Sequence, residues 1–255
     1  MRGSFDPTLR PGDLHVWQVG LRRFQEDPEA AEILDRDELE RARRFAFADD
    51  ARRFVQRRTA LRHLAALYTG RDARELRFGR TAAGKPFLLD QSSSGAISFS
   101  VTHSKDLALL AFCIDVAVGI DVEAIRPLDD MRAIADACFS EGERSALDAL
   151  PENERLIAFF NGWTRKEALL KAVGGGFTLA PKDSEVTVSP QEAVRVKSVA
   201  GKTAPAKKWS LMMPQAADGY SAAVAIEHPN PRLSYWQYSG EEARLYSAES
   251  TCLCA

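Results

Sequence analysis

Asp121 and Glu123 stand two residues apart in the segment Gly119-Ile120-Asp121-Val122-Glu123. On an extended strand, residues two apart share a face, so the two carboxylates project together. Neighbouring carboxylates repel unless a proton or a cation lies between them. An all-oxygen pair suits Mg²⁺ or Mn²⁺, which keep further positions for water and phosphate oxygens. A strand with a solvated acidic face has the same spacing, so the pair alone does not choose between the two readings. A second group is Trp163, Glu167 and Lys171, spaced one helical turn apart on one face. A plain surface Glu–Lys pair is worth only ~0.3 kcal/mol. Trp is usually at least partly buried, so a Glu and a Lys beside it point to a cleft. There Glu167 could complete a cation site and Lys171 could meet a phosphate.

Two further segments carry polar chemistry. The first, Gly79 through Arg80, Thr81, Gly84, Lys85 and Pro86, nearly follows the phosphate-loop pattern. Pro86 stands where that loop needs a hydroxyl and the start of a helix, which argues against it. A basic loop remains, with glycines that let its backbone approach a ligand. The second, Ser100-Val101-Thr102-His103-Ser104, places a histidine among hydroxyls. Such a histidine is either a structural residue or an anion ligand.

The elements that must position these groups follow from periodicity. Residues 13–19 alternate as a strand, 36–47 form a short basic helix, and Asp49-Asp50 mark the N-cap of a longer one. That helix carries Phe54, Leu61, Leu64, Ala65 and Tyr68 as a stripe and stops at Gly70. A strand-like segment follows Pro86, and residues 92–95 form a turn. Strands are expected at 97–101, 107–114 and 116–122, with the polar stretch from Thr102 to Asp106 as a break. Helices are expected at 128–139, from a capping box at Ser140 and Glu143, and at 153–173 before a run of glycines. Strands return at 185–189, 193–199, 208–213 and 220–227. The order implies two similar halves, 1–115 and 116–228, with 229–255 as a loosely attached tail.

Composition bounds the class. The chain has 255 residues, 34 basic and 36 acidic, so net charge −2 excludes a nucleic-acid binder working by bulk basicity. The longest apolar run, Leu107 to Ile114, is too short to span a membrane, and no signal-peptide core is evident, so a cytoplasmic protein is expected. Cys113 reads as a buried thiol, and the terminal Cys252 and Cys254 as part of a frayed end rather than a prenylation box. One bias stands out. Of the basic residues 25 are Arg, and twelve of these lie between Arg36 and Arg77. Such a run is either a solvated face or a surface for phosphates or an acidic partner.

Taken together and in order, the four segments resemble the 4′-phosphopantetheinyl transferase family, of the larger type that activates peptide and polyketide synthetases. The resemblance rests on Gly84-Lys85-Pro86, on Thr102-His103-Ser104, on Gly119 through Glu123, and on Trp163 through Lys171. The basic entry from Glu38 through Arg41 to Phe45 also fits, and the likeness spans about residues 13–228. It implies an α+β fold of two similar α/β halves about a pseudo-twofold axis, with the site between them. It implies coenzyme A as substrate, transfer of its phosphopantetheine to a carrier-protein serine, and release of adenosine 3′,5′-bisphosphate. Asp121, Glu123 and Glu167 would hold Mg²⁺, or Mn²⁺. Lys171 would stabilise the phosphate oxygens, and Glu167, or a water it orients, would take the serine proton. His103, Arg41 and Lys85 would bind the 3′-phosphate, and Arg80, Thr81, Gly84 and Pro86 would line the adenine. Ser100, Thr102, Lys166 and Lys171 complete the implied coenzyme set. The implied partners are apo acyl or peptidyl carrier proteins of polyketide, peptide or fatty-acid synthases, served by a monomer without nucleic acid or membrane. A non-catalytic coenzyme A or carrier binder and a Mg²⁺-dependent nucleotide phosphohydrolase are the alternatives.

Overall fold

Two helices of equal length organise the chain. In the computed structural model, which describes residues 8–21, 30–91, 95–174, 179–199 and 208–239, α3 (Ala48–Thr69) and α6 (Glu152–Val173) each run 22 residues. Each stops at a glycine in the left-handed region, Gly70 at φ 66° and Gly174 at φ 77°, a conformation that costs other residues more. Ahead of each lies a short helix closed by a capping box. Asp35 and Glu38 close α2 (Arg36–Arg43), and Ser140 and Glu143 close α5 (Glu141–Asp148). A small α1 (Ala30–Ile33) and α4 (Met131–Cys138) complete the helices used below.

The glutamate of each box also meets a buried cation on the long helix. Glu38 Oε2 accepts from Arg62 Nε at 2.7 Å, and Glu143 Oε2 lies 2.6 Å from Lys166 Nζ. Arg62 donates onward to the carbonyls of Ala73 and Leu76, and Lys166 to those of Pro181 and Ser184, both in the loop after the helix. Arg62 precedes Gly70 by the same interval that Lys166 precedes Gly174. The α+β fold thus uses one device twice, as two similar halves require. Asp49 and Asp50 are not the cap of α3. Phe47 is, without a side-chain bond, and the aspartates sit in the first turn, where they favour the helix dipole and pair with Arg52 and Arg53.

The first sheet has the order β11-β1-β5-β4, from β1 (Asp13–Gly20), β4 (Ile97–Ser104), β5 (Leu107–Ile114) and β11 (Arg232–Tyr238). The second has the order β6-β10-β9, from β6 (Val118–Ala124), β9 (Ser210–Met212) and β10 (Tyr220–Ile226). Two short hairpins, β2 (Phe78–Arg80) with β3 (Pro86–Leu88) and β7 (Glu185–Val186) with β8 (Val196–Ser198), complete the set. β5 is apolar throughout because both faces are covered. Ala108, Leu110 and Phe112 face the core under α3, while Leu109, Ala111 and Cys113 face the core between the sheets. α6 covers the second sheet through Ala168, Leu169 and Ala172 against Ala223 and Ala225.

Two expectations need correction. The polar stretch from Thr102 to Asp106 is not a break. β4 runs on to Ser104, with His103 paired to Ala108 and Ser104 to Leu107, and Lys105 (φ 47°) and Asp106 make the turn. Nor does a loose tail begin at residue 229. β11 pairs in parallel with β1 from Asp13–Arg232 to Val19–Tyr238. Sequence reasoning misses β11 because both of its faces are partly covered, Trp236 and Tyr238 against the first core and Leu233 and Tyr235 against the core between the sheets, so burial does not alternate. The rest of that segment, with Cys252 and Cys254, lies outside the described residues, as does most of the turn expected at 92–95.

Candidate active site

β4 is the edge of the first sheet and β6 the edge of the second, and they pack against each other without a backbone ladder. Side chains make the seam. Ser100, Thr102 and Ser104 alternate along β4 and face β6. Ser100 Oγ accepts from Ile120 N (3.2 Å), and Thr102 Oγ1 donates to Asp121 Oδ1 (3.1 Å). Ser104 Oγ donates to Glu123 Oε2 (2.9 Å) and accepts from Ala124 N (3.1 Å). This hydroxyl seam satisfies an edge that would otherwise expose bare donors and acceptors. Ser104 holds Glu123 in place, a part the sequence reading did not give it. Its signal is the alternation of hydroxyls at 100, 102 and 104.

Gly119 sets the distance between β6 and α6. A Cβ at this position would lie 2.1 Å from Ala168 O and 2.4 Å from Ala172 N, both helix backbone. Glycine therefore lets the strand lie directly on the helix, which brings Asp121 and Glu123 beside Glu167 and Lys171. Lys85 pins the same junction from the β2–β3 hairpin. Its Nζ donates to Val118 O (2.7 Å) and Lys171 O (2.9 Å).

The four charged groups form one electrostatic unit. Lys171 Nζ lies 2.6 Å from Asp121 Oδ1 and 3.3 Å from Ile120 O. Asp121 is buried, which pushes its carboxyl above the usual range against the pull of Lys171. Burial also raises Glu123, with Asp121 adding to the shift and Ser104 opposing it. Glu167 is raised by burial and then by the charges of Asp121 and Glu123, with Lys171 opposing. Asp121 raises both glutamates and Glu123 raises Glu167, an arrangement that marks a place where positive charge is wanted. Asp121 Oδ2 is buried and meets no hydrogen-bond donor among the described residues. The donor set, all carboxylate oxygen with one orphaned lone-pair face, fits a hard cation. Among the described residues no three such side chains are already drawn together around a common point, so a cation would have to draw them in.

These groups open into a cleft of about 810 Å³. Gly84, Lys85 and Pro86 form one wall, and Trp163, Leu170 and Pro181 another. Ser100, Thr102 and His103 line it beside the carboxylates. His103 stands on β4 at the cleft. Crowding by protein, then the positive charges of Arg57 and Lys171, lower its pKa to about 4. It is therefore neutral near pH 7, and one ring N–H is its means of binding an anion.

The remaining residues of the implied set lie elsewhere. Lys166 points away from the cleft, 1 % exposed and bound to Glu143, Pro181 O and Ser184 O. It follows Arg165 and precedes Glu167, and on a helix that rotation turns it to the opposite side. Its effect on the cleft passes through Pro181, a wall residue. Arg80 Nη1 donates to Gly84 O, and Thr81 Oγ1 accepts from Lys85 N, so this exposed pair shapes the loop and does not line the cleft. Arg41 is exposed on α2, its guanidinium 5.2 Å from the Phe54 ring.

A two-sheet α+β fold with an acidic, lysine-bearing cleft at the seam defines a candidate transferase of charged groups. Sequence comparison makes this specific. The 4′-phosphopantetheinyl transferase superfamily pattern matches residues 117–225, and the pattern of the N-terminal part of 4′-phosphopantetheinyl transferases matches residues 17–114. The chain is 34% identical over 232 residues to the 4′-phosphopantetheinyl transferase HetI of a Nostoc species, covering 91% of this chain and 94% of that one. It is 26% identical over 228 residues to a phosphopantetheinyl transferase of a Thraustochytrium species, covering 83% and 78%. A holo-(acyl-carrier-protein) synthase from Bacillus anthracis, solved with CoA, aligns over 44% of this chain and 95% of its own, at 21% identity and TM-score 0.34. The chain belongs to the 4′-phosphopantetheinyl transferase superfamily.

Proposed function

We propose that this protein transfers the 4′-phosphopantetheine group of coenzyme A to a serine hydroxyl of an apo carrier protein, with Mg²⁺ (or Mn²⁺) present. The observation that carries the reading is the convergence of Asp121, Glu123, Glu167 and Lys171 on one cleft beneath the Gly84–Pro86 loop, with His103 on its wall. Asp121, Glu123 and Glu167 would hold the cation, which supplies neutralisation of pyrophosphate charge. In the transfer the serine Oγ–P bond forms and the bridging P–O bond breaks. The serine proton goes to a base, and adenosine 3′,5′-bisphosphate leaves. Lys171 donates to the phosphate oxygens as their charge grows. Glu167, held above the ordinary carboxylate range, is the proton acceptor or orients the water that serves as one. His103 donates to the 3′-phosphate of the coenzyme. Acyl or peptidyl carriers of polyketide, peptide or fatty-acid synthases are the proposed partners, and a cytoplasmic monomer the proposed form.

Mass spectrometry of apo carrier protein incubated with coenzyme A, Mg²⁺ and this protein tests the reading. The expected gain is one phosphopantetheine, ~340 Da from the group's formula. It should vanish with EDTA and return with added Mg²⁺. An unmodified carrier of each of the three kinds would overturn the proposal. So would coenzyme A cleavage that proceeds as fast without carrier.

A further inference from the structure

Among the described residues, seven of the twelve arginines between Arg36 and Arg77 reach a carboxylate. Arg57 does not, although it is half-buried on α3. Its Nη1 is sealed from solvent and has no partner among the described residues, a costly arrangement for a cation. Its guanidinium lies 5.8 Å from the Phe54 ring, which Arg41 also faces. Burial and the charges of Arg58 and Arg41 act on it in the same direction, lowering its pKa to about 10, and no acid opposes them.

The placement of Arg57 is fixed from one turn away. Arg53 Nε donates to Asp106 Oδ1 at 3.0 Å, and its Nη2 lies 2.9 Å from the same oxygen, which ties α3 to the β4–β5 turn. The next turn of α3 carries Arg57 alongside the end of β4, where His103 stands. Arg57 is the charge that acts most strongly on His103. Arg57 thus lies by His103, which stands on the cleft wall, and Arg41 shares the Phe54 ring with Arg57; none of the three side chains makes a hydrogen bond or ion pair among the described residues. Asp50 also acts on His103, but its carboxylate is paired with Arg53 at 3.1 Å, which leaves two guanidiniums and an imidazole as a receptor for a dianion. A guanidinium offers the forked geometry that matches phosphate oxygens.

We infer that Arg57 binds the 3′-phosphate of coenzyme A together with His103 and so sets the preference for coenzyme A over its dephospho form. This rests on the transferase reading above and adds to it a residue that sequence reasoning passed over.

The test measures kcat and KM for coenzyme A and for dephospho-coenzyme A with wild type, R57Q, R57K and H103A. The exposed R43Q on α2 serves as the control for loss of a basic side chain. For R57Q, KM for coenzyme A should rise about tenfold, the scale of one charge-assisted hydrogen bond. KM for the dephospho form and kcat should stay put. R57K keeps the charge without the fork and should fall between, and it carries the test if R57Q does not fold. Calorimetry of wild type and R57K with adenosine 3′,5′-bisphosphate and with AMP reads binding without turnover, and only the bisphosphate should weaken. Equal losses for both coenzymes in the Arg57 variants, or none, would overturn the inference. If H103A raises KM for coenzyme A alone while the Arg57 variants do not, the 3′-phosphate reading survives that failure. A wild type that does not distinguish the two coenzymes would remove both.

Discussion

Lys171 Nζ lies 2.6 Å from Asp121 Oδ1, while the other oxygen of the same carboxylate, Oδ2, is buried and meets no donor among the described residues. One half of Asp121 is thus committed to holding the lysine, and the other half is available to a cation. Asp121→Asn keeps the shape and removes the charge. Transfer should fall ~10²-fold or more, with circular dichroism unchanged and Mg²⁺ stimulation lost. A folded Asp121→Asn protein that still responds to Mg²⁺ as wild type does would remove Asp121 from the cation site.

Glu167 couples function to stability. Its pKa is raised in the folded protein by burial and by Asp121 and Glu123. The folded state therefore holds this proton more tightly than the unfolded state. The stability linked to it is present below the ordinary value of 4.5 and is lost as pH rises through the raised value. Glu167→Gln removes the loss. It should melt a few degrees above wild type at pH 8, for a gain of ~1 kcal/mol. The difference should close towards pH 4, and transfer should be lost. A variant that melts below wild type at pH 8 would show that the carboxylate is a stabilising group.

Gly119→Ala tests the contact between β6 and α6. The added methyl would meet Ala168 O and Ala172 N, backbone atoms that cannot rotate aside. A cost of ~1–3 kcal/mol is expected, together with a loss of kcat, because the strand that moves carries Asp121 and Glu123. Gly162→Ala is the comparison. Its methyl would meet side chains, Val188 Cγ1 at 2.7 Å and Phe139 Cζ at 3.0 Å, away from the cleft. Thermal melts should fall for both variants and kcat for Gly119→Ala alone. If kcat is unchanged in Gly119→Ala, the spacing of strand and helix is not what aligns the carboxylates.

His103 gives a spectroscopic reading of the phosphate end. With its pKa near 4 the ring is neutral across the neutral range. A dianion at its N–H should draw the value back towards 6.5. NMR titration of the histidine ring protons, assigned with His103→Gln, should show this with adenosine 3′,5′-bisphosphate and not with adenosine. A resonance that titrates identically in both would place the phosphate elsewhere.

Much of this site is legible in sequence because it is built from short periodicities. Asp121 and Glu123 share a strand face, and Trp163, Glu167 and Lys171 share a helix face, so spacing alone brings each set together. What spacing does not carry is the relation between distant elements. Lys166 sits inside the most informative motif, yet its partner is Glu143, a capping-box residue on another helix. Lys85 lies in a loop that invites a phosphate, yet its ammonium holds two carbonyls, from β6 and from the last turn of α6. Arg57 was one arginine among twelve, and it differs in having a guanidinium nitrogen sealed from solvent with no partner among the described residues, which no local pattern records. In the fold, β11 escaped because a strand partly covered on both faces, with a neighbour more than two hundred residues away, leaves little periodicity.

The parallel pairing of β1 with β11 bears on the order in which the molecule can form. β1 lies near the start of the chain, and the strand that flanks it is made near the end, after both long helices and the whole second sheet. During synthesis the first sheet must wait with β1 open on one side until residues 232–238 leave the ribosome. A fragment cut after residue 115 would carry that open side permanently. The halves are alike in architecture, but the sheet of the first is completed by the last strand of the described chain.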